Sequence, residues 1–248
     1  MKRSLQNILT IFQRETVAYF TSPIAFAIII IFLLISSAFA FTFGNLLEAG
    51  DASLGNAFFF WHPWFYLVLA PAVGMRLWSD EQRQGTIELL LTMPIAPWQA
   101  IFGKYVAACF VWFCALLLTF PLWITISFLG EPDHGVIFVG YIASFLVVCT
   151  CLAITTAVSS LTRNQVVCFI VSTVICLGFT MIGFGRVEQF LNKIFSPEEV
   201  SRITSFSFYQ HFNNLMQGAL YLKDVFYFVT LIAVSLLITS AVIRAKRA

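Results

Sequence analysis

The sequence has very little charge for its length. Only 10% of its 248 residues are Asp, Glu, Lys or Arg, whereas soluble globular domains carry about 25%. Hydrophobic residues make up 60% of the chain and phenylalanine alone occurs 28 times. A soluble core could not cover that much apolar surface, so the composition predicts an integral membrane protein. The net charge of +2, without a long basic run, argues against a nucleic-acid partner.

Six stretches are apolar and long enough to cross a lipid bilayer, which takes about 20 residues. They are residues 24–43, 57–78, 105–129, 136–160, 166–185 and 225–243. The fold class expected is therefore an all-α integral membrane domain that occupies residues 1–248 and has six transmembrane helices.

Several kinds of chemical site are missing. No Asp or Glu lies within the body of a predicted span, so a carboxylate proton relay has nothing to use. The three histidines and six cysteines have no metal-ligand spacing. The only Gly-Lys pair, Gly103-Lys104, has Trp98 where a phosphate loop needs its first glycine. We expect no enzyme activity and no cofactor or metal in this chain, so any ATP and Mg²⁺ would be bound by a partner.

Lysine and arginine are distributed unevenly between the two sides of the predicted bundle. Ten lie near the ends of the chain or in the loops after the second and fourth spans, and four lie in the last outer loop. Because positive residues favour the cytoplasmic side, both termini are predicted to be cytoplasmic. Residues 1–20 are predicted to form an interfacial elbow helix, since their apolar residues share one face. It could be a simple anchor or could also contact a cytoplasmic partner.

A half-polar stretch, residues 79–104, separates the second span from the third and is called the coupling segment below. Ser79 is expected to cap a helix, Pro94 to end it, and Pro97 to begin the next helix, which continues into the third span. A plain surface connector is the usual case for such a loop. Its length favours a docking role, because two antiparallel spans can be joined by only a few residues.

Two other loops carry structural signals. The loop after the fourth span, SSLTRNQ at 159–165, has polar residues able to cap a helix or bind a partner, namely Thr162, Arg163 and Asn164. The outer loop, 186–224, is long for a connector. Its SPEE at 196–199 predicts a helix start, and the aromatic residues that follow predict a short helix. That helix could dip into the outer leaflet or lie on the surface.

The chain resembles the permease subunits of ABC-2 type transporters, with the gliding-motility-associated branch as the nearest likeness. The resemblance rests mainly on the motif WSDExxxGTIELLLTxPI, from Trp78 to Ile95, which closes into GKY at 103–105. Further matching pieces are TSPIA at 21–25, PWF at 63–65 and the SSLTRNQ loop. Nothing in these residues reports motility itself.

The resemblance implies a bacterial inner-membrane protein that works as a dimer, with a second copy or a related permease. Each half would bind a separate ABC ATPase, and the complex would export a substrate. By position, the first ATPase contact would comprise Glu81, Gly85, Thr86, Glu88, Leu89 and Pro94. The second contact would comprise Thr162, Arg163 and Asn164.

A conduit between two copies would be lined by the second and fifth spans, where the polar candidates are His62, Ser172, Thr173 and Thr180. Ordinary contacts between helices are the alternative for the hydroxyl groups. His62 is expected in the outer aromatic belt, with a substrate contact as the alternative. A different function is also open: an ATPase-driven scaffold that transmits force to a periplasmic partner through the outer loop. An integral membrane enzyme is disfavoured by the missing catalytic groups.

Overall fold

A computed structural model describes residues 2–44, 54–86, 95–218 and 220–246. Within these ranges the regular secondary structure is entirely helical, which confirms the all-α prediction. A short 3₁₀ turn spans Phe59–Trp61. The helices are α1 (Lys2–Thr21), α2 (Pro23–Thr42), α3 (Leu54–Ala57), α4 (His62–Gly74), α5 (Arg76–Gln84), α6 (Pro97–Leu117), α7 (Phe120–Leu129), α8 (His134–Leu161), α9 (Gln165–Met181), α10 (Gly185–Leu191), α11 (Pro197–Thr204), α12 (Phe208–Met216) and α13 (Leu222–Ala245).

Helix α8 forms the centre of the bundle. It packs against α4, α5, α6, α9, α12 and α13. In the apolar 18-residue stretch that qualifies it as a candidate span, 72% of the residues are buried within the chain. Many of its buried side chains are small, including Ala143, Ser144 and Ala153. Small residues let neighbouring helices approach closely where lipid removes any hydrophobic drive to associate. Helix α8 is therefore the element to which these six helices are attached.

The N-terminal helix α1 lies against the first part of α6. Ile11 is buried over Gly103, and a Cβ atom added at Gly103 would lie only 2.9 Å from the Ile11 Cγ2 atom. The close approach of the two helices therefore requires glycine at this position. Polar contacts extend the attachment, because Asn7 donates to Gln99 over 3.1 Å and Gln99 donates to Ser4 over 2.6 Å. The helical part of the elbow prediction is confirmed, and its place at a membrane interface stays a prediction.

Fewer helices qualify as membrane spans than the six predicted. Within the described residues, four stretches are long and apolar enough: Pro23–Thr42, Pro97–Leu129, His134–Leu161 and Leu222–Ala245. A fifth qualifies if α9 and α10, which meet at a bend of 72°, count as one span. The structure therefore supports four or five candidate spans, while the six-span topology and the cytoplasmic termini remain predictions.

The stretch predicted as the second span is not one continuous helix. Residues 57–78 cover the end of α3, the 3₁₀ turn, all of α4 and the start of α5. Pro71 within α4 cannot donate a hydrogen bond to the preceding turn, and α4 closes with the amide of Met75 donating to the Pro71 carbonyl over 2.8 Å. The result is a 13-residue helix followed by a 9-residue helix. Residues 57–78 therefore do not form one unbroken helix, and their role as the second membrane span stays a prediction.

The end of the bundle that carries α10, α11 and α12 is called the distal face. Helix α11 begins with a capping box, in which the Glu199 carboxylate accepts from the amide and hydroxyl of Ser196 over 3.0 and 2.9 Å. These hydrogen bonds hold the pKa of Glu199 below its ordinary value. The helix start predicted from SPEE is confirmed.

The aromatic helix of the outer loop, α12, packs against α8, α9 and α13. Phe208, Phe212 and Leu215 are buried on its inner side. His211 lies in the same interface, where its Nδ1 atom is 2.5 Å from an Asp224 carboxylate oxygen and its Nε2 atom is 2.8 Å from the Ser205 carbonyl. The outer loop is therefore attached to the bundle by apolar packing and by the two hydrogen-bond contacts of the buried His211 ring.

Candidate coupling site

Both described ends of the chain lie on the face opposite the distal face. This terminal face comprises α1, α5, the start of α6, the last turn of α8, the start of α9 and the end of α13. Polar side chains connect these elements through contacts far apart in sequence, such as Asn7 to Gln99 and Lys246 to Gln82. The first part of the coupling segment, residues 79–86, lies within this network, so the network determines how the segment is held.

A hydroxyl group of α8 secures the break between α4 and α5. Ser159 Oγ accepts from the amides of Trp78 and Ser79 over 2.9 and 3.0 Å and donates to the Met75 carbonyl over 3.1 Å. The first amides of a helix have no carbonyl partner within it, and a side-chain oxygen usually supplies one. Here that oxygen comes from another helix. Ser79 itself lies inside α5 and donates to the Met75 carbonyl, so the prediction that Ser79 caps the helix is wrong.

The C-terminal end of α8 is closed by two further side chains. Gln82 donates to the carbonyls of Ser159 and Ser160 over 3.2 and 2.7 Å. Lys246 donates to the same Ser160 carbonyl over 2.7 Å and to the Gln82 side-chain oxygen over 2.8 Å. The last carbonyls of a helix lack partners within it, and a cation there also favours the helix dipole. Burial and the nearby Arg163 lower the pKa of Lys246 from its ordinary value.

The start of α9 is also connected to α5. Asn164 caps α9, since its side-chain oxygen accepts from the amides of Val166 and Val167 over 2.9 and 3.5 Å. The Gln165 side chain then donates to the Asp80 carboxylate on α5. Helix α5 therefore contacts α8, α9 and α13 along one side.

Along its other side, α5 is held by a buried lysine. Lys104 Nζ lies 2.9 Å from a Glu81 oxygen and 3.0 Å from a Glu15 oxygen, and the lysine side chain is only 4% exposed. Arg14 pairs with the same Glu15 oxygen over 2.6 Å. Burial opposes ionisation of Glu15, but Lys104 and Arg14 outweigh it, so the pKa of Glu15 lies below its ordinary value. Lys104 thus joins α5, α6 and α1 at one point.

Beyond these contacts, residues 83–86 are exposed, and they are called the tip of the coupling segment below. Gly85 ends α5 in the left-handed conformation with φ of +71°, and its amide donates to the Glu81 carbonyl. Glycine adopts this conformation without the strain that a Cβ atom would cause. Residues 87–94 lie outside the described residues, and with them the predicted contacts Glu88, Leu89 and Pro94. Helix α6 then begins with Pro97, as predicted.

The residues proposed for ATPase contact differ in whether their side chains are exposed or already bound to a partner inside the chain. Gly85 and Thr86 are exposed at the tip, whereas the Glu81 carboxylate is turned inward to Lys104. In the second loop, Thr162 donates to the Asn164 carbonyl over 3.1 Å. Arg163 is exposed and shares a shallow groove of about 300 Å³ with Arg83 of α5. The structure therefore brings the two predicted contact segments together at α5.

Three of the four polar groups proposed for a conduit, His62, Ser172 and Thr180, have hydrogen-bond partners inside the chain. The Thr173 hydroxyl has none among the described residues. His62 is fully buried, with its Nδ1 atom 2.6 Å from Ser144 Oγ, so the expectation of an exposed aromatic-belt position is wrong. Aromatic neighbours, including Phe32 and Phe58, enclose its ring. Ser172 and Thr180 are buried on α9, and Thr180 donates to the Cys176 carbonyl over 3.0 Å. Thr173 is partly exposed.

Sequence reasoning missed Ser159, Gln82 and Lys246 as organising residues. Ser159 does open the SSLTRNQ loop, and a hydroxyl directly before a helix end was an available signal. Gln82 and Lys246 gave none, because their partners are main-chain carbonyls that no sequence pattern marks. Lys104 was recognised only as a cytoplasmic charge.

The comparisons with known proteins agree with this architecture. A family model described as ABC-2 family transporter protein matches residues 9–245, which is nearly the whole chain. A comparison with curated proteins gives no significant match. Permeases of the ABC-2 family pair with ABC ATPases. The chain belongs to the ABC-2 transporter family, as a membrane component with several transmembrane helices.

Proposed function

We propose that this chain is the permease subunit of an ATP-driven exporter, and that a separate ATPase docks on the tip of the coupling segment. One observation carries the proposal. Helix α5 is fastened on one side to α8 through Ser159 and Gln82, and on the other to α6 and α1 through Lys104. The tip beyond it is exposed. A displacement applied to the tip therefore acts on several membrane helices together.

This arrangement suits the transfer of mechanical work. A motor can change the balance between two states of the membrane helices only through contacts that differ in energy between those states. A loosely attached loop would move without affecting the bundle. Helix α5 is short and makes polar contacts along its whole length. These contacts hold it rigidly against its neighbouring helices. Motion at Thr86 would then reach α8 through Ser159 and reach α1 through Glu81 and Glu15.

The charge of the terminal face supports a cytoplasmic position. Its described lysine and arginine residues near helix ends include Arg83, Arg163, Arg244 and Lys246. An excess of such residues near the ends of membrane helices marks the cytoplasmic side. We accordingly propose a bacterial inner-membrane protein with both termini inside. The Trp78–Ile95 motif supports a place in the gliding-motility-associated branch.

We further propose that two permease copies, identical or related, form the transport pathway at their interface. Helix α9 supports this, because one side of it is apolar and exposed in the single chain, including Val166, Ile170 and Val174. Thr173 is the polar candidate closest to that side. His62, Ser172 and Thr180 would reach a pathway only if α4, α8 and α9 separated during transport.

Co-purification with ATP turnover tests the proposal. Tagged wild type would be extracted beside Glu88→Ala and a variant with alanine at residues 86–92. Loss of an ATPase chain from both variants is expected, with docking weakened by about 1–3 kcal/mol for Glu88→Ala if that carboxylate meets a cation on the ATPase. Undiminished co-purification and turnover in both variants would reject the docking site.

If the chain is a force-transmitting scaffold and not an exporter, ATP turnover should respond to a different stimulus. Turnover in an exporter should respond to substrate in the membrane, whereas turnover in a force-transmitting scaffold should respond to a periplasmic partner on the distal face. Reconstituting the complex in vesicles, with and without a periplasmic extract, separates these two outcomes.

A further inference from the structure

A cleft of about 370 Å³ opens on the terminal face between α1, α2, α4, α5 and α6. One wall is apolar and includes Ile24, Ile28 and Val73, while the other carries charged side chains. The cleft lies where the elbow helix meets the first candidate span. An amphipathic molecule with a charged head and an apolar tail matches this division.

The charges that line the cleft balance to zero. The cations are Arg14, Arg76 and Lys104, and the anions are Glu15, Asp80 and Glu81. Most of these groups have partners within the chain: Lys104 bridges the two glutamates, Arg14 pairs with Glu15, and Asp80 accepts from Gln165. A ligand with a large net charge would therefore gain little from the cleft as a whole.

Two residues that line the cleft each have a buried polar atom without a partner among the described residues. Arg76 Nε is a buried donor that makes no hydrogen bond within the described part of the chain, where Arg76 also forms no ion pair. Glu81 uses one carboxylate oxygen for Lys104, while its other oxygen, Oε2, is buried and unpaired. Leaving a buried donor or acceptor unpaired is unfavourable, and more so when the group is charged. One unpaired cationic donor and one unpaired anionic acceptor in the same cleft call for a ligand that offers both complements.

We infer that the cleft binds a membrane phospholipid whose headgroup carries a phosphate and a primary ammonium group, as in phosphatidylethanolamine. The phosphate would accept from Arg76 and the ammonium would donate to Glu81 Oε2. The first carbons of the lipid chains would lie against Ile24, Ile28 and Val73. This inference rests on the membrane placement of the chain and not on ATPase docking, so either can fail without the other.

Lipid titration of the purified protein, followed by native mass spectrometry, tests the inference. The probes are dioleoyl lipids with three headgroups: phosphatidylethanolamine, phosphatidylcholine, whose quaternary ammonium cannot donate, and phosphatidylglycerol, which has no ammonium. We expect the ethanolamine lipid to bind tightest. Arg76→Gln should weaken its binding about tenfold or more, because a charge-assisted hydrogen bond is lost. Arg83→Gln removes the same charge from the same helix outside the cleft and should leave binding unchanged.

A second variant separates lipid recognition from folding. Glu81→Gln should shift the preference from the ethanolamine lipid towards phosphatidylglycerol, since it removes the acceptor for the ammonium and one negative charge. Arg76→Gln should leave the lipid-free melting temperature unchanged or raised, because Arg76 has no partner in the described chain to lose.

Three results would overturn the inference. The first is equal binding of the three lipids, and the second is an equal loss of binding in Arg76→Gln and Arg83→Gln. The third is binding of soluble glycerophosphoethanolamine as tight as that of the whole lipid, which would assign the cleft to a free headgroup instead of a membrane lipid.

Discussion

Replacing Ser159 with alanine should loosen α5 from the rest of the bundle. The Ser159 hydroxyl makes three hydrogen bonds, to the amides of Trp78 and Ser79 and to the Met75 carbonyl. Ser159, Trp78 and Ser79 are all fully or almost fully buried, so water cannot readily replace the hydroxyl. Ser159→Ala leaves the buried Trp78 amide without an acceptor. The Ser79 amide lies where it bonds the N-cap carbonyl of Met75 within α5, and that carbonyl also keeps its bond from the Ser79 side chain.

The expected loss follows from the stranded Trp78 amide. A buried donor without a partner costs about 1–3 kcal/mol. We therefore expect the free energy that holds α5 closed to fall by about 1–3 kcal/mol. Because a factor of ten corresponds to about 1.4 kcal/mol, amide exchange through local opening should accelerate about fivefold or more.

Hydrogen exchange measured by mass spectrometry on detergent-purified protein checks this. Peptides covering 76–84 should lose protection in Ser159→Ala, while α12 on the distal face should keep it. Ser160→Ala is the matched control, because the Ser160 hydroxyl is equally buried but donates only to the Ala157 carbonyl of its own helix, over 2.7 Å. If both variants exchange alike across 76–84, Ser159 does not secure the helix break and the reasoning is refuted.

Three further changes have defined outcomes. Lys104→Met should destabilise the chain by about 3–5 kcal/mol, measured by thermal unfolding, because Glu15 and Glu81 lose a buried counter-charge. In wild type, the lowered pKa of Glu15 contributes stability that is present above its ordinary value of 4.5 and lost as the pH falls through the lower folded value, so melting temperature should drop on strong acidification. Lys104→Met should reduce that acid dependence. Gly85→Ala should cost about 1–2 kcal/mol, read from exchange at the end of α5, because φ is +71° there. His211→Ala should cost about 1–3 kcal/mol and expose the outer loop to protease, since the buried Asp224 carboxylate loses its hydrogen-bond partner His211 Nδ1.

Matched controls distinguish these causes from general damage. Lys223→Met removes an exposed lysine beside the outer loop and should have little effect on unfolding. Gly178→Ala adds a methyl group where a Cβ meets nothing within 4 Å and φ is not positive, so it should not reproduce Gly85→Ala. His134→Ala removes an exposed histidine and should leave the outer loop protected. Equal effects in a variant and its control would reject the mechanism assigned to that variant.

The sequence predicted the features that depend on composition and local chain preferences. Apolar length identified the long helices α2, α8 and α13. Pro97 marked the start of α6, and the SPEE stretch marked the start of α11, because proline and serine act on the adjacent turn. These signals act within a few residues and do not require knowledge of the tertiary fold.

The rest depended on contacts between distant residues. The break at Met75 is stabilised by a hydroxyl 84 positions away, so hydropathy alone predicted one span where there are two helices. His62 lies between tryptophans in the sequence, which suggested a membrane interface, but Ser144 of α8 holds it in the interior. Whether a polar residue faces lipid, water or a buried partner is decided by helix packing, which hydropathy does not report.

Site-specific photo-crosslinking at Thr86 tests the central claim most directly. Thr86 is exposed at the tip of the coupling segment, and a photoreactive amino acid there should capture a nucleotide-binding chain in intact membranes. The same probe at Phe206, exposed on the distal face, should not. Capture at Thr86 alone is the result that the account predicts. Capture of no ATPase at Thr86, or equal capture at Phe206, would contradict docking at the coupling segment.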